Sequence, residues 1–320
     1  MKNKIIIVTG DPNSINSELI FKTWNKLNKS LRKKICLIGN YTLIEEQFKK
    51  IKCPIKLKKI NDINENINHK NLKIINIDLS YKNPFNVSQK LASKYVLKSL
   101  HLAHKLSLNE NITGFINCPI NKNLLPNKNG VTEFLASKCK ITNNSEVMLI
   151  NNKNISVSPV TTHIDVDKIS KKIKPLLIKN KINTINNWFI KFFKKKPKIA
   201  VLGLNPHNSE FRKNSKEIKV IKPTIEFLKK NGINLKGPLV ADTIFIEDYK
   251  NYDVIVGMYH DQVLAPFKSL FKFNAINITL GLKYLRLSPD HGVATNIIQK
   301  NKANADSLLR CIHFINKFKK

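Results

Sequence analysis

The chain has 320 residues, 42% of them hydrophobic, with 56 Lys plus Arg against 22 Asp plus Glu and a formal net charge of +34. That length can bury a large core and tends to divide into two lobes. No apolar run approaches the roughly 20 residues that span a bilayer, and the run at residues 5–8 is too short for a signal-peptide core, so a cytoplasmic protein with no membrane partner is expected.

The excess of positive charge invites a nucleic-acid partner. However, the basic residues are nearly all lysine, and Lys, Ile and Asn, all abundant here, share A- and T-rich codons. Clusters such as Lys194-Lys195-Lys196 lack the glycine-rich or aromatic setting of a nucleic-acid reader. No nucleic-acid partner is expected. Arginine stands only at Arg32, Arg212, Arg286 and Arg310, and a composition that drifts to lysine keeps arginine where a planar bidentate donor is required. The five cysteines are scattered with no Cys-x-x-Cys pair, which predicts reduced thiols and neither a zinc ribbon nor a disulfide framework.

In chain order, residues 5–8 predict a buried strand closed by Gly10-Asp11-Pro12, with a helix from Glu18 capped by Ser17. Strands follow at 35–38 and 73–77, a helix at 89–108 and a strand at 112–116 that runs into Asn117-Cys118-Pro119. Residues 147–150 and 155–160 read as a hairpin whose second strand ends in Thr161-Thr162-His163. A long helical stretch carrying Trp188, Phe189, Phe192 and Phe193 toward the core comes next. The strand Ile199–Leu202 then runs out into Gly203-Leu204-Asn205-Pro206-His207. Residues 216–231 read as helix, 237–243 as a loop, 275–280 as a strand and 303–318 as an amphipathic closing helix. Strands alternating with helices predict an α/β fold with a largely parallel sheet and helices on its faces. No repeat or linker cuts the chain cleanly, so residues 1–320 read as one catalytic unit of two interleaved lobes.

The stretch 252–291 concentrates the chemistry. An apolar run, Val254-Ile255-Val256-Gly257-Met258, breaks into Tyr259-His260-Asp261-Gln262, which is how open α/β sheets present groups to a ligand. His163, His207 and His260 each follow the carboxyl end of an apolar strand. In a parallel sheet such ends share one edge, and three imidazoles there suit a divalent ion such as zinc or cobalt with positions left open for substrate. Lys268, Asn277 and Arg286 suit a phosphorylated or carboxylated small molecule, because a guanidinium fork matches oxyanion geometry and Lys adds a point charge. His291, in Pro289-Asp290-His291-Gly292, could meet a cofactor or stabilise its loop.

Eight segments in order carry a family resemblance: Gly10-Asp11-Pro12, Pro119-Ile120-Asn121-Lys122, Thr132-Glu133-Phe134-Leu135-Ala136, Val160-Thr161-Thr162-His163, Gly203-Leu204-Asn205-Pro206-His207, Ala241-Asp242-Thr243, Met258-Tyr259-His260-Asp261-Gln262 and Ser288-Pro289-Asp290-His291-Gly292. Together they resemble the 4-hydroxythreonine-4-phosphate dehydrogenase family of the vitamin B6 pathway, over essentially the whole chain. The resemblance implies an isocitrate/isopropylmalate dehydrogenase-like fold of two α/β lobes around a cleft, and a homodimer with its active site at the subunit interface. It places the metal ligands on His163, His207 and His260, the set reached from the strand ends, and the substrate contacts on Thr132, Lys268, Asn277 and Arg286. It also implies NAD or NADP as hydride acceptor, one divalent ion (zinc, cobalt or magnesium), and oxidation followed by decarboxylation of 4-phosphooxy-threonine. No Gly-x-Gly-x-x-Gly follows the first strand, which argues against a Rossmann cofactor site and agrees with the family's different mode, and Asp290 and His291 are expected to contribute to cofactor binding. Asp261 and a metal-bound hydroxide are the two candidates for general base. The sequence departs from the family at Val131, where a substrate-binding His is usual, in a preceding loop about four residues short, and at Asn13, Ser14, Asn16, Ser17 and Thr295-Asn296. A related dehydrogenase acting on threonate 4-phosphate is the alternative.

Overall fold

The computed structural model describes residues 4–126, 130–272 and 274–318. The basic Met1-Lys2-Asn3 and the short loop's residues 127–129, ahead of Val131, therefore lie outside the described residues. Twelve strands occur among those described: β1 (Lys4–Val8), β2 (Ile35–Gly39), β3 (Lys56–Ile60), β4 (Asn71–Asn76), β5 (Ile112–Asn117), β6 (Val147–Asn151), β7 (Ser156–Thr161), β8 (Ile199–Leu202), β9 (Leu235–Leu239), β10 (Val254–Tyr259), β11 (Ile276–Leu280) and β12 (Leu285–Pro289). The chain forms two compact units, Met1–Cys139 with Lys283–Lys320, and Lys140–Leu282. The second is thus a single insertion in the first.

In the first unit the strand order is β3-β4-β2-β1-β5-β12 and every pairing is parallel. β1 and β2 are buried along their whole length, as continuous Ile, Leu and Val runs require when helices cover both faces. Successive strands run outward from β1 on one side through β2 and on the other through β5, so the carboxyl ends of β1 and β5 form a switch point, where open α/β sheets bind ligands. The predicted helix after β1 begins at Asn16, two residues early, and Ser17 makes no cap. Asn16 takes over the junction: its Nδ2 donates to the carbonyls of Thr9 at 2.9 Å and Pro119 at 2.8 Å, tying the two switch-point loops together. In this unit two strands escaped the sequence reading. The edge strand β3 is Lys-Leu-Lys-Lys-Ile, charged side chains that discourage pairing with another chain and also blur the apolar pattern. β12 is buried throughout although it carries Arg286 and Ser288.

In the second unit the order is β11-β6-β7-β10-β8-β9. The predicted hairpin holds, with β6 antiparallel to β7, and β11 antiparallel to β6. From β7 onward the pairings through β10, β8 and β9 are parallel. The long helix expected after His163 is two, Val166–Lys172 and Pro175–Phe193, because proline lacks an amide for a continuing helix and suits its first position. Trp188 and Phe189 are buried as expected, while Phe193 is exposed. The segment 216–231 opens with a π-helical turn, Glu217–Ile221, before the helix Lys222–Lys230. β9 and a short helix, Ala241–Ile244, occupy most of what reads as a loop at 237–243. β10 passes directly into the helix His260–Phe271. Among the described residues no helix is long and apolar enough to cross a membrane, and all five cysteines are free thiols.

Candidate active site

The second unit gathers the histidines along one edge. β7, β10 and β8 are consecutive parallel neighbours, so their carboxyl ends lie side by side, with His163, His260 and His207 following them. Thr161 Oγ1 donates to the Met258 carbonyl at 2.7 Å, stitching the ends of β7 and β10. The rings of His163 and His260 stand 5.7 Å apart, centroid to centroid. Metal–nitrogen bonds of about 2.0–2.1 Å put each imidazole centroid roughly 3 Å from a shared ion, and two such ligands about 5–6 Å apart. That separation is compatible with one shared divalent ion. His260 Nδ1 and Asp261 Oδ1 lie 2.6 Å apart. A carboxylate accepts, so Nδ1 is the donor of this bond, which leaves Nε2 as the ring nitrogen that a metal would take in the neutral imidazole.

His207 has a different setting. Its Nε2 lies 3.5 Å from Asp242 Oδ2 and its Nδ1 3.9 Å from Glu210 Oε1. Residues His207, Asn208, Ser209, Glu210 and Phe211 all have positive φ, between 43° and 56°, with no glycine among them. Each such residue costs roughly 1–2 kcal/mol, so a left-handed turn of this length persists only where its surroundings over-determine it. Among the described residues no group of three or more His, Cys, Asp or Glu is placed to hold a metal, so the three histidines share an edge without forming a closed cluster in one chain. Lys268 lies on the helix His260–Phe271 and is half-buried. Asn277, on β11, keeps a buried Oδ1 with no hydrogen-bond partner among the described residues, an acceptor that a ligand's N–H or O–H would satisfy.

Arg286 belongs to the first unit, where it is 3% exposed near the middle of β12. Its Nε donates to Asn117 Oδ1 at 2.7 Å and its Nη1 to Thr132 Oγ1 at 3.4 Å. Burial lowers the guanidinium to about 10, against the opposing pull of Glu133, so it stays charged at neutral pH. Thr132 and Glu133 come from the first turn of the helix Val131–Lys138, whose amino end favours an anion. Val131 is its first residue. The buried Asp290 follows β12, its amide donating to Ser307 Oγ at 3.0 Å, and His291 Nδ1 lies 3.1 Å from the Gly292 carbonyl.

Asp11, at the switch point, is a buried acid that the sequence signals only as part of a turn. Its Oδ1 accepts from the Asn13 amide at 2.9 Å and its Oδ2 from the Asn121 amide at 3.3 Å, yet burial dominates and pushes its carboxyl above the ordinary range. With the folded-state value raised, its favourable contribution is complete below the ordinary 3.8 and is lost as pH rises through the folded value. Asp11→Asn, neutral throughout, should therefore gain thermal stability relative to the natural chain as pH rises from about 3.5 to 7. Melting curves across that range check it; a difference independent of pH would contradict the assignment.

The family model for the pyridoxal phosphate biosynthetic protein PdxA matches residues 13–315, a span that takes in both units and all three histidines. The chain belongs to this family. It is 35% identical over 316 residues to the 4-hydroxythreonine-4-phosphate dehydrogenase of Sulfurihydrogenibium sp. (strain YO3AOP1), covering 97% of this chain and 96% of that protein. It is 31% identical over 329 residues to a protein of Oceanobacillus iheyensis with the provisional name D-threonate 4-phosphate dehydrogenase, covering 98% of this chain and 97% of that one. The crystal structure of 4-hydroxythreonine-4-phosphate dehydrogenase from Klebsiella pneumoniae superposes with a TM-score of 0.86 at 26% identity, covering 99% of this chain and all of that one. The α/β class and largely parallel sheet read from the sequence hold.

Asn117 and Gln262 stand inside quoted sequence motifs without a role of their own, and Glu217 is not singled out by the sequence; these bond to Arg286, 169 residues away, to Gly203, 59 away, and to Leu204 and Asn205, 13 and 12 away, respectively. The one available signal is that all three sit in or beside the segments following β5, β8 and β10.

Proposed function

We propose that this PdxA-family chain is a metal-dependent, NAD- or NADP-linked dehydrogenase that oxidises 4-phosphooxy-L-threonine at its C3 hydroxyl. The resulting β-keto acid loses CO₂ to give 3-amino-2-oxopropyl phosphate for pyridoxal 5'-phosphate biosynthesis. The observation that carries the reading is the set His163, His260 and His207 at the ends of three adjacent parallel strands, in a chain that matches the family from residue 13 to 315.

His163, His207 and His260 would hold one divalent ion: zinc, cobalt or magnesium. When bound, such an ion supplies Lewis acidity to the substrate's hydroxyl and then to its ketone. Arg286, hydrogen-bonded to Asn117 and Thr132, is assigned to the substrate's phosphate or carboxylate, and Lys268 is assigned to an oxyanion of the substrate from the family resemblance. The unpartnered Asn277 Oδ1 is assigned to a donor on the substrate. Asp261, its side chain 82% exposed, is assigned as proton acceptor from the hydroxyl, with solvent as the exit. When bound, the nicotinamide would accept the hydride from C3, after which the electron pair of the C–CO₂ bond would pass to the new ketone on decarboxylation. Asp290 and His291, past the carboxyl end of β12, are assigned to the cofactor; a carboxylate there suits a ribose hydroxyl. A cytoplasmic homodimer with an interface active site, as the family resemblance implies, completes the proposal.

Val131 in place of the family's histidine, together with the Oceanobacillus relative, favours threonate 4-phosphate as the second reading. A panel of phosphorylated hydroxy acids, assayed with each cofactor and each of the three metals by absorbance of the reduced nicotinamide, separates the two. The highest kcat/KM is expected with 4-phosphooxy-L-threonine. A higher value with D-threonate 4-phosphate would transfer the proposal to that substrate, and no turnover with any of them would end it.

A further inference from the structure

The left-handed turn that presents His207 requires something to hold it, and the structure supplies a buried carboxylate at its base. Glu217 is fully buried in the π-helical turn Glu217–Ile221. Its Oε1 accepts from the amides of Leu204 at 2.9 Å and Asn205 at 2.8 Å and from Asn205 Nδ2 at 3.2 Å, while Oε2 accepts from the same Nδ2 at 3.1 Å. Burial raises this carboxyl, but the hydrogen bonds from Asn205 and Leu204 outweigh it and hold the group below its ordinary range, in the ionised form that can accept all of them. These two amides sit two and three residues before His207. The other side of the loop is held by Gln262, whose Nε2 donates to the Gly203 carbonyl at 2.7 Å and whose Oε1 accepts from the Met258 amide at 2.7 Å. A side chain at Gly203 would stand 2.0 Å from Asn208 Oδ1, so the loop is packed closely on itself. Asn208 Nδ2 in turn donates to the Pro238 carbonyl at 3.2 Å.

We infer that Glu217 is a positioning residue for His207: by gripping the Leu204 and Asn205 amides it fixes where the left-handed turn starts, and so where that imidazole stands. Glu217 touches neither metal nor substrate and acts through the loop alone. The inference rests on the proposed metal role of His207 and deepens it. Outer partners of metal ligands typically carry 10- to 100-fold in metal affinity.

The test is Co²⁺ binding to purified, metal-free protein, followed by titration calorimetry and by the metal-induced shift in melting temperature. Wild type, Glu217→Ala, Glu217→Gln, His207→Ala and the Glu217→Ala/His207→Ala double variant are compared. Glu217→Ala should weaken Co²⁺ roughly 10- to 100-fold, and Glu217→Gln, whose amide oxygen still accepts from both backbone amides, should recover most of that. The double variant should bind no more weakly than His207→Ala, since the loss travels through one ligand. Glu217→Asp, which keeps the charge but withdraws it by one methylene, replaces alanine in the same cycle if alanine prevents folding. Undiminished Co²⁺ affinity in Glu217→Ala, or an equal loss whether or not the His207 imidazole is present, would overturn the inference alone. A wild type that binds no Co²⁺, or binds it as well after His207→Ala, would overturn the metal reading and this inference with it.

Discussion

His207→Ala should lower the rate of NAD reduction by 4-phosphooxy-L-threonine at least about a hundredfold, and removal of divalent metal by a chelator should do the same. The effect is local. His207 is 67% exposed in its side chain, and its ring nitrogens face the exposed Asp242 and Glu210, so truncation leaves the core untouched and should change stability by no more than about 0.5 kcal/mol. Alanine also keeps the Cβ and therefore the same unfavourable left-handed backbone, so no relaxation is expected to compensate. Activity should be lost without unfolding. Adding zinc, cobalt or magnesium back to the chelated natural chain should restore turnover, whereas the variant should stay inactive at matched metal concentration. Full activity after His207→Ala, or after verified metal removal, would refute the metal assignment.

Arg286→Lys should reduce kcat/KM by roughly tenfold to a hundredfold while keeping the charge, as expected for loss of a charge-assisted hydrogen bond worth about 1.5–3 kcal/mol. Arg286 spends Nε on Asn117 and Nη1 on Thr132, and this planar fork cannot be reproduced by one ammonium group. The loss should fall mainly on KM, because a group that grips the substrate's oxyanion does so in both ground and transition states. The same change leaves the buried Asn117 Oδ1 short of its donor and should lower stability by about 1–3 kcal/mol. Kinetics at saturating and limiting substrate, with a melting curve on the same samples, separate the two effects. An unchanged KM would remove Arg286 from the substrate site.

The histidine edge is legible in the sequence because apolar runs that stop at His are periodic signals, and adjacency of parallel strands then brings distant sequence positions to one edge. The start of the helix at Asn16 is not, because the Asn16 side chain bonds to Thr9 and Pro119, the latter 103 residues away. β12 is hidden since a buried arginine looks like a surface residue until its partner, Asn117, is known. β3 is hidden because lysines on an edge strand do not alternate with apolar residues in a clean period of two.

By itself the sequence determined the α/β alternation, the strands that end in His163, His207 and His260, and the family to which eight ordered motifs point. Those features follow from local hydrophobic patterning and from chemistry held in short segments. Only the tertiary structure decided that Arg286 packs with Asn117 and Thr132 in the first unit while Lys268 and Asn277 belong to the second. It alone showed that His207 begins a glycine-free left-handed turn just after residues 203–205, which Glu217 and Gln262 bond. Side-chain hydrogen bonds between residues far apart in the chain leave no periodic trace in the sequence, which is why these placements emerge only once the strands are paired.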